Sequence, residues 1–255
     1  AGVAKTVWVA GTLTQFAANA VGVVVPVAGL PDGIPAQVIA AQQTAQSSAG
    51  PVMVRLEDGR LFGWGTNIGN LFGLPAPATQ GYVGSNVAPQ ALPAAWGAAS
   101  DAAFGYVSLF VTRADGSVMV SGRNDGGELG VGPQASGTVN NGPVALLASA
   151  GVAFDGVQAL VSSQVQVSLA LRQGRIHVWG AANQPLQGGS PARIDYAQQL
   201  PASGDGWRAL SAGNAHAMAI AANGAVYTWG NGLRGALGNG VDNGSVLAPN
   251  LVTVP

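Results

Sequence analysis

A short strand ending in Trp-Gly, or in a remnant of it, recurs along this 255-residue chain, and that recurrence limits the chain to a repeat architecture. The copies read Val7-Trp8-Val9-Ala10-Gly11, Leu61-Phe62-Gly63-Trp64-Gly65, Val118-Met119-Val120-Ser121-Gly122, Ile176-His177-Val178-Trp179-Gly180 and Val226-Tyr227-Thr228-Trp229-Gly230. Their final glycines are 54, 57, 58 and 50 residues apart. Each copy after the first follows a turn dipeptide: Asp58-Gly59, Asp115-Gly116, Gln173-Gly174 or Asn223-Gly224. Asn-Gly and Asp-Gly are strong hairpin signals because both central residues of the tight turn need positive φ. Apolar runs at 52–56, 107–111, 167–171 and 217–221 precede these turns, so each repeat contains at least a hairpin.

Eight residues beyond each strand-ending glycine stands another residue that tolerates the left-handed region: Asn19, Gly73, Gly130, Gly188 and Gly238. A further apolar strand lies upstream of each hairpin, clearest at 207–213. A Pro/Gly/Asn-rich loop leads downstream to a last strand, as in Pro143-Val144-Ala145-Leu146-Leu147. Three or four short strands per repeat, without a long 3.6-residue period, predict an all-β array. The economical closure is a β-propeller of about five repeats, four complete and one partial, each a small antiparallel sheet, forming one domain over residues 1–255.

The stretch from Trp207-Arg208-Ala209-Leu210-Ser211-Ala212-Gly213 to Ala236-Leu237-Gly238 resembles a repeat of the regulator of chromosome condensation family. Gly122-Arg123-Asn124-Asp125-Gly126-Gly127-Glu128-Leu129-Gly130 resembles its second half, as does 65–73. The resemblance implies a β-propeller with blades of this length, usually seven, and says little about function. WD repeats fit less well, since no Trp is followed by Asp and the period is longer. Kelch repeats lack this glycine register. The family histidine occurs only at His216, with Pro51, Ser108 and Gln166 in its place elsewhere. Four upstream strands accompany five Trp-Gly-type strands. Either the C-terminal segment 251–254 pairs near Val7 to close a ring, or neighbours in a longer chain or assembly complete the missing edge.

Ten basic and eleven acidic groups leave a net charge of -1, so no electrostatic footprint for nucleic acid or anionic lipid is visible. Only 8% of residues are charged, against ~25% in ordinary soluble domains, which predicts a surface of small and uncharged polar side chains. The apolar stretch 20–30 is broken by Pro26 and falls short of the ~20 residues a membrane span needs. The absence of cysteine excludes thiolate chemistry and disulfides. The opening Ala-Gly-Val-Ala has no basic n-region, as expected if a signal peptide or initiator Met has been removed.

No constellation for catalysis stands out. His216 is expected to pack within its blade, and His177 to face a neighbouring blade or solvent. Glu57 and Asp58 point to opposite faces, a poor acid-base pair. Asp32, Asp115, Asp155, Asp205 and Asp242 sit in turn-like sequence without a calcium-loop pattern, so no metal site is expected. Gly230-Asn231-Gly232-Leu233-Arg234-Gly235 matches G-x-G-x-x-G but falls in the repeat register as a turn, and no cofactor is expected. Trp64, Trp179 and Trp229 share one repeat position, Trp8 lies on the same strand of its copy, and all four are expected between blades; Trp96 and Trp207 lead their upstream strands and are expected in the core.

The most chemically varied loops are expected at the surface: Arg123, Asn124, Asp125 and Glu128 in one repeat, Asn231 and Arg234 in another. Loops at blade ends suit partner recognition, and Arg with Asn gives directional hydrogen bonding. The expected function is a non-enzymatic propeller that binds another protein or a surface glycan in an extracellular, periplasmic or virion setting, without nucleic acid or membrane insertion. Two alternatives stay open: a structural subunit of a virion or surface assembly, whose homo-oligomer completes the partial blade, and an enzyme with an axial pocket. The resemblance adds three precedents: nucleotide exchange on a small GTPase, β-lactamase inhibition by a secreted bacterial propeller, and plant UV-B sensing.

Overall fold

The computed structural model describes residues 8–9, 25–31, 36–41, 50–74, 85–190, 192–201 and 203–253. The first-copy landmarks Gly11 and Asn19, and Asp32, lie outside them. Strands β1 (Trp8–Val9) and β2 (Val25–Pro26) form a two-stranded antiparallel sheet. Four antiparallel sheets of four strands follow, each a meander in chain order. The first blade has β3 (Ala36–Ala41), β4 (Val52–Leu56), β5 (Leu61–Thr66) and β6 (Ser85–Ala91). The second has β7 (Ala99–Phe104), β8 (Ser108–Arg113), β9 (Val118–Asn124) and β10 (Thr138–Ala145). A small hairpin, β11 (Leu147–Ser149) with β12 (Val152–Ala153), comes next. The third blade has β13 (Val157–Ser162), β14 (Val167–Arg172), β15 (Arg175–Gly180) and β16 (Ile194–Gln199). The fourth has β17 (Trp207–Ala212), β18 (His216–Ala221), β19 (Val226–Asn231) and β20 (Ser245–Leu251). No α-helix occurs among the described residues, only three short 3-10 turns.

The hairpin signals mark the β-turns as expected, with Gly59, Gly116, Gly174 and Gly224 all at positive φ. The strand-ending glycines have a separate cause. Gly122 and Gly180 have φ of 131° and 125°, and a Cβ there would run into the carbonyl oxygens of Val107 and Gln166. Those carbonyls accept the N–H of the residue that follows, Arg123 (3.0 Å) and Ala181 (2.9 Å), which locks the strand end onto the neighbouring strand.

Successive sheets stack face to face, and their first strands β3, β7, β13 and β17 pack in order. Side chains alternate across each strand, so every blade has a rear face toward the preceding sheet and a forward face toward the next. Blade one turns Val54, Leu56, Phe62 and Trp64 rearward, where they pack with Val27 just after β2. Its forward Met53 meets Trp96, Phe104, Leu109 and Val111 of blade two. Forward Phe110 of blade two lies 5.6 Å, edge to face, from Trp179 of blade three. Leu169 of blade three shares one core with Ala217 and Trp229 of blade four. Of the C-terminal segment 251–254, Leu251 pairs with Tyr227 and Val252 donates its N–H to Val226 at 2.9 Å, while Val7 and Val254 lie outside the described residues. The sheet register of blade four therefore claims these residues.

Candidate protein-binding site

The loop after each Trp-Gly strand folds over its blade's forward face and reaches left-handed φ at Gly73, Gly130, Gly188 and Gly238 (62 to 73°), as the spacing predicts. In the inner blades this loop is an inter-blade joint. Trp179 donates its indole N–H to the carbonyl of Glu128 in the preceding blade (3.0 Å), and Trp229 donates likewise to Leu186 (3.3 Å). Blade two has Ser121 at the tryptophan position, and its hydroxyl reaches back to the carbonyl of Asn70 (3.0 Å). Trp96 restores the lost indole contact by donating to Phe72 (3.0 Å).

These joints correct the expectation that Arg123, Asn124, Asp125 and Glu128 form an exposed loop. Arg123, Asn124 and Glu128 are buried and Asp125 is half-buried. The Arg123 guanidinium pairs with the Asp125 carboxylate, and Asn124 donates to Gln134 (3.1 Å). Glu128 accepts the N–H groups of Asp125 (2.9 Å) and Gly126 (2.5 Å). Burial raises the Glu128 pKa against the opposing pull of those donors. The loop's polarity serves its own turn because blade three covers it.

The equivalent loop of blade four is open. Asn231 is exposed and accepts the N–H of Leu233 at 2.9 Å. Arg234 is exposed, with φ 59°. Leu233 is 57% and Val241 54% exposed, although both are large and apolar. Beside them Asn239, Val241, Asp242 and Thr253 border a concavity of about 640 Å³. This loop unites apolar, amide and both charged side chains in one place, and Asn231 and Arg234 are the two predicted residues that it leaves accessible. The sequence pointed to the loop but not to Leu233 and Val241, whose exposure depends on what covers the blade.

Other candidates have structural explanations. Asp58 and Asp115 order the hairpin turns, and hydrogen bonds from Arg60 and Ser117 hold them below the ordinary carboxylate pKa. His177 is half-buried edge-on against Phe154 at 4.8 Å, over which Arg172 also lies. Burial first, then the charges of Arg172 and Arg175, depress its pKa. His216 is half-buried beside Gly213. Trp64, Trp96, Trp179, Trp207 and Trp229 are all buried. No group of three or more metal-ligating side chains stands together among the described residues, and no helix is long and apolar enough to cross a membrane.

Residues 207–236, all of blade four's first three strands and the start of its open loop, match the regulator of chromosome condensation (RCC1) repeat. The human E3 ubiquitin-protein ligase HERC2 is 31% identical over 150 residues, 58% of this chain and 3% of that protein, and the mouse protein matches equally. The fold is similar to human WBSCR16, with TM-score 0.76 and 19% identity over 98% of this chain and 62% of that one. It is also similar to yeast RCC1 (Prp20) in its complex with Kap60, with TM-score 0.70 and 18% identity over 92% of this chain and 52% of that one. A second structure of Prp20p, from Saccharomyces cerevisiae, is described with its binding properties to Gsp1p and histones. The chain thus spans a small part of the curated relatives and between half and two thirds of these solved chains. Stacked four-stranded blades, the shared glycine register and these likenesses show a β-propeller fold that carries an RCC1-type repeat at residues 207–236.

Proposed function

We propose that this chain is a non-catalytic protein-binding propeller whose partner contacts the open loop 231–242 of blade four. The exposure of Leu233 beside Arg234 carries the reading: the same loop is buried in the inner blades, and exposed aliphatic side chains next to an arginine suit a protein surface. Leu233 and Val241 also favour a protein over a glycan. The yeast neighbour, captured with Kap60, supports protein binding as the activity.

A photo-crosslinking residue at position 233 tests this in extract from the native source. Discrete protein adducts that Arg234→Glu removes are expected. The same adducts from a crosslinker at Glu57, at the hairpin-turn end, would contradict it. Nucleotide exchange on a small GTPase is a second reading, supported by the neighbour described with Gsp1p binding. Faster release of labelled GDP from such a GTPase in the presence of the chain is its direct assay.

A further inference from the structure

We propose that Asn243 is a self-modification site, where the chain's own backbone converts a side-chain amide to a carboxylate beside the loop 231–242. An asparagine followed by glycine is prone to this reaction, because glycine has no side chain to shield its attacking nitrogen. The chain holds five such pairs, beginning at Asn141, Asn223, Asn231, Asn239 and Asn243. The side chain of Asn141 lies outside the described residues. Three of the other four are tied down. The carboxamide oxygens of Asn223, Asn231 and Asn239 accept the N–H two residues on, from Ala225 (3.0 Å), Leu233 (2.9 Å) and Val241 (3.1 Å). The N–H groups of Gly224 and Gly232 are engaged as well, donating to the carbonyls of Ala221 (2.9 Å) and Gly244 (2.6 Å).

Asn243 differs in both respects. Neither its carboxamide nor the N–H of Gly244 makes a hydrogen bond among the described residues, and both residues are exposed. Gly244 has φ 136° and open space where a Cβ would stand. This exposure belongs to the place in the repeat. Counted back from Asn140, Ile194 and Val246, which pair with the strand-ending glycines, the matching residues are Gly137 and Thr138 in blade two and Ala192 in blade three. Gly137 and Thr138 are half-buried and Ala192 is exposed, although a blade follows each of them.

In the reaction the Gly244 nitrogen loses its proton to hydroxide and attacks Cγ of Asn243. The N–Cγ bond forms, the Cγ–Nδ2 bond breaks, and the departing amide takes a proton from water and leaves as ammonia. Water then opens the resulting succinimide, at the side-chain carbonyl to give aspartate or at the main-chain carbonyl to give isoaspartate. Either product sets a new carboxylate next to Asp242, and isoaspartate also adds a methylene to the backbone. That backbone is tied to the loop: the carbonyls of Asp242 and Gly244 accept from Gly235 (3.2 Å) and Gly232 (2.6 Å), on either side of Leu233 and Arg234. Modification therefore disturbs the loop and weakens its partner contact, a consequence that rests on the binding reading as the modification itself does not.

Incubation of the full chain at mildly alkaline pH in heavy-oxygen water, followed by peptide mass spectrometry, tests the proposal. Asn243 is expected to lose ammonia and take up heavy oxygen before Asn223, Asn231 and Asn239, with isoaspartate labelled by an isoaspartyl methyltransferase. In urea the four sites are expected to react at similar rates, since the hydrogen bonds that protect three of them are gone. Asn243→Gln is expected to lose the signal from that peptide. An Asn243 that outlasts Asn223 or Asn231 in the folded chain overturns the proposal, as does an order of reaction that urea leaves unchanged. With the crosslinker at position 233, the fresh chain is expected to give adducts that the aged chain loses. Adducts that survive full modification overturn the consequence for the loop, whereas adducts missing from the fresh chain count against the binding reading alone.

Discussion

The indole of Trp179 donates to the main-chain carbonyl of Glu128 across the joint between blades two and three, at 3.0 Å. One side chain thus links the rear face of one sheet to the loop of another, with Phe110 packed against the same ring. Trp179→Ala is expected to cost about 3–5 kcal/mol in urea unfolding, through cavity formation and the lost donor. Trp179→Phe keeps much of the ring but strands the carbonyl, and about 1–3 kcal/mol is expected.

Gly180 and Gly224 both have positive φ, but only Gly180 faces an obstacle. Gly224→Ala, with open space around it, is expected to cost about 1–2 kcal/mol in backbone strain alone. Gly180→Ala adds a collision with the Gln166 carbonyl, and its midpoint of denaturation is expected to fall clearly further.

Gln187 is fully buried, and neither polar atom of its side chain has a hydrogen-bond partner among the described residues. Leu129 and Leu237 hold the same repeat position and are buried too. Gln187→Leu is therefore expected to stabilise the fold by about 1–3 kcal/mol, read as a higher denaturation midpoint.

His177 gives stability an acid dependence. Its folded pKa lies below the ordinary value of 6.5, so the unfolded chain takes up the proton first as pH falls. Stability is full above pH 6.5, declines as pH drops through that value toward the folded pKa, and is lowest below it. His177→Gln is expected to flatten this window, as measured by melting temperature against pH.

Blade boundaries were legible because turn chemistry is local: Asp58-Gly59 or Asn223-Gly224 needs only its own backbone to declare a hairpin. The eight-residue step to Gly130 or Gly238 likewise reflects a local φ. Burial at the loops was not legible, since Glu128 and Arg234 occupy similar loops and differ in whether a following blade covers them. The hairpin β11–β12 escaped notice for a related reason. Residues 143–147 read as one strand, but buried Leu146 donates to Val118 and accepts from Phe154, and the strand divides there. Exposure of Met218 depends on the same missing cover, although its strand alternates small rear-facing alanines with larger forward side chains.

The three methionines, Met53, Met119 and Met218, supply a direct test of the open blade-four face. Met53 and Met218 hold the same repeat position, one buried and one exposed, and Met119 is half-buried. Peroxide oxidation of the dilute chain, followed by peptide mass spectrometry, should modify Met218 first and Met53 last. Met218 protected as fully as Met53 at that dilution would mean that its face is already covered, and would contradict the account.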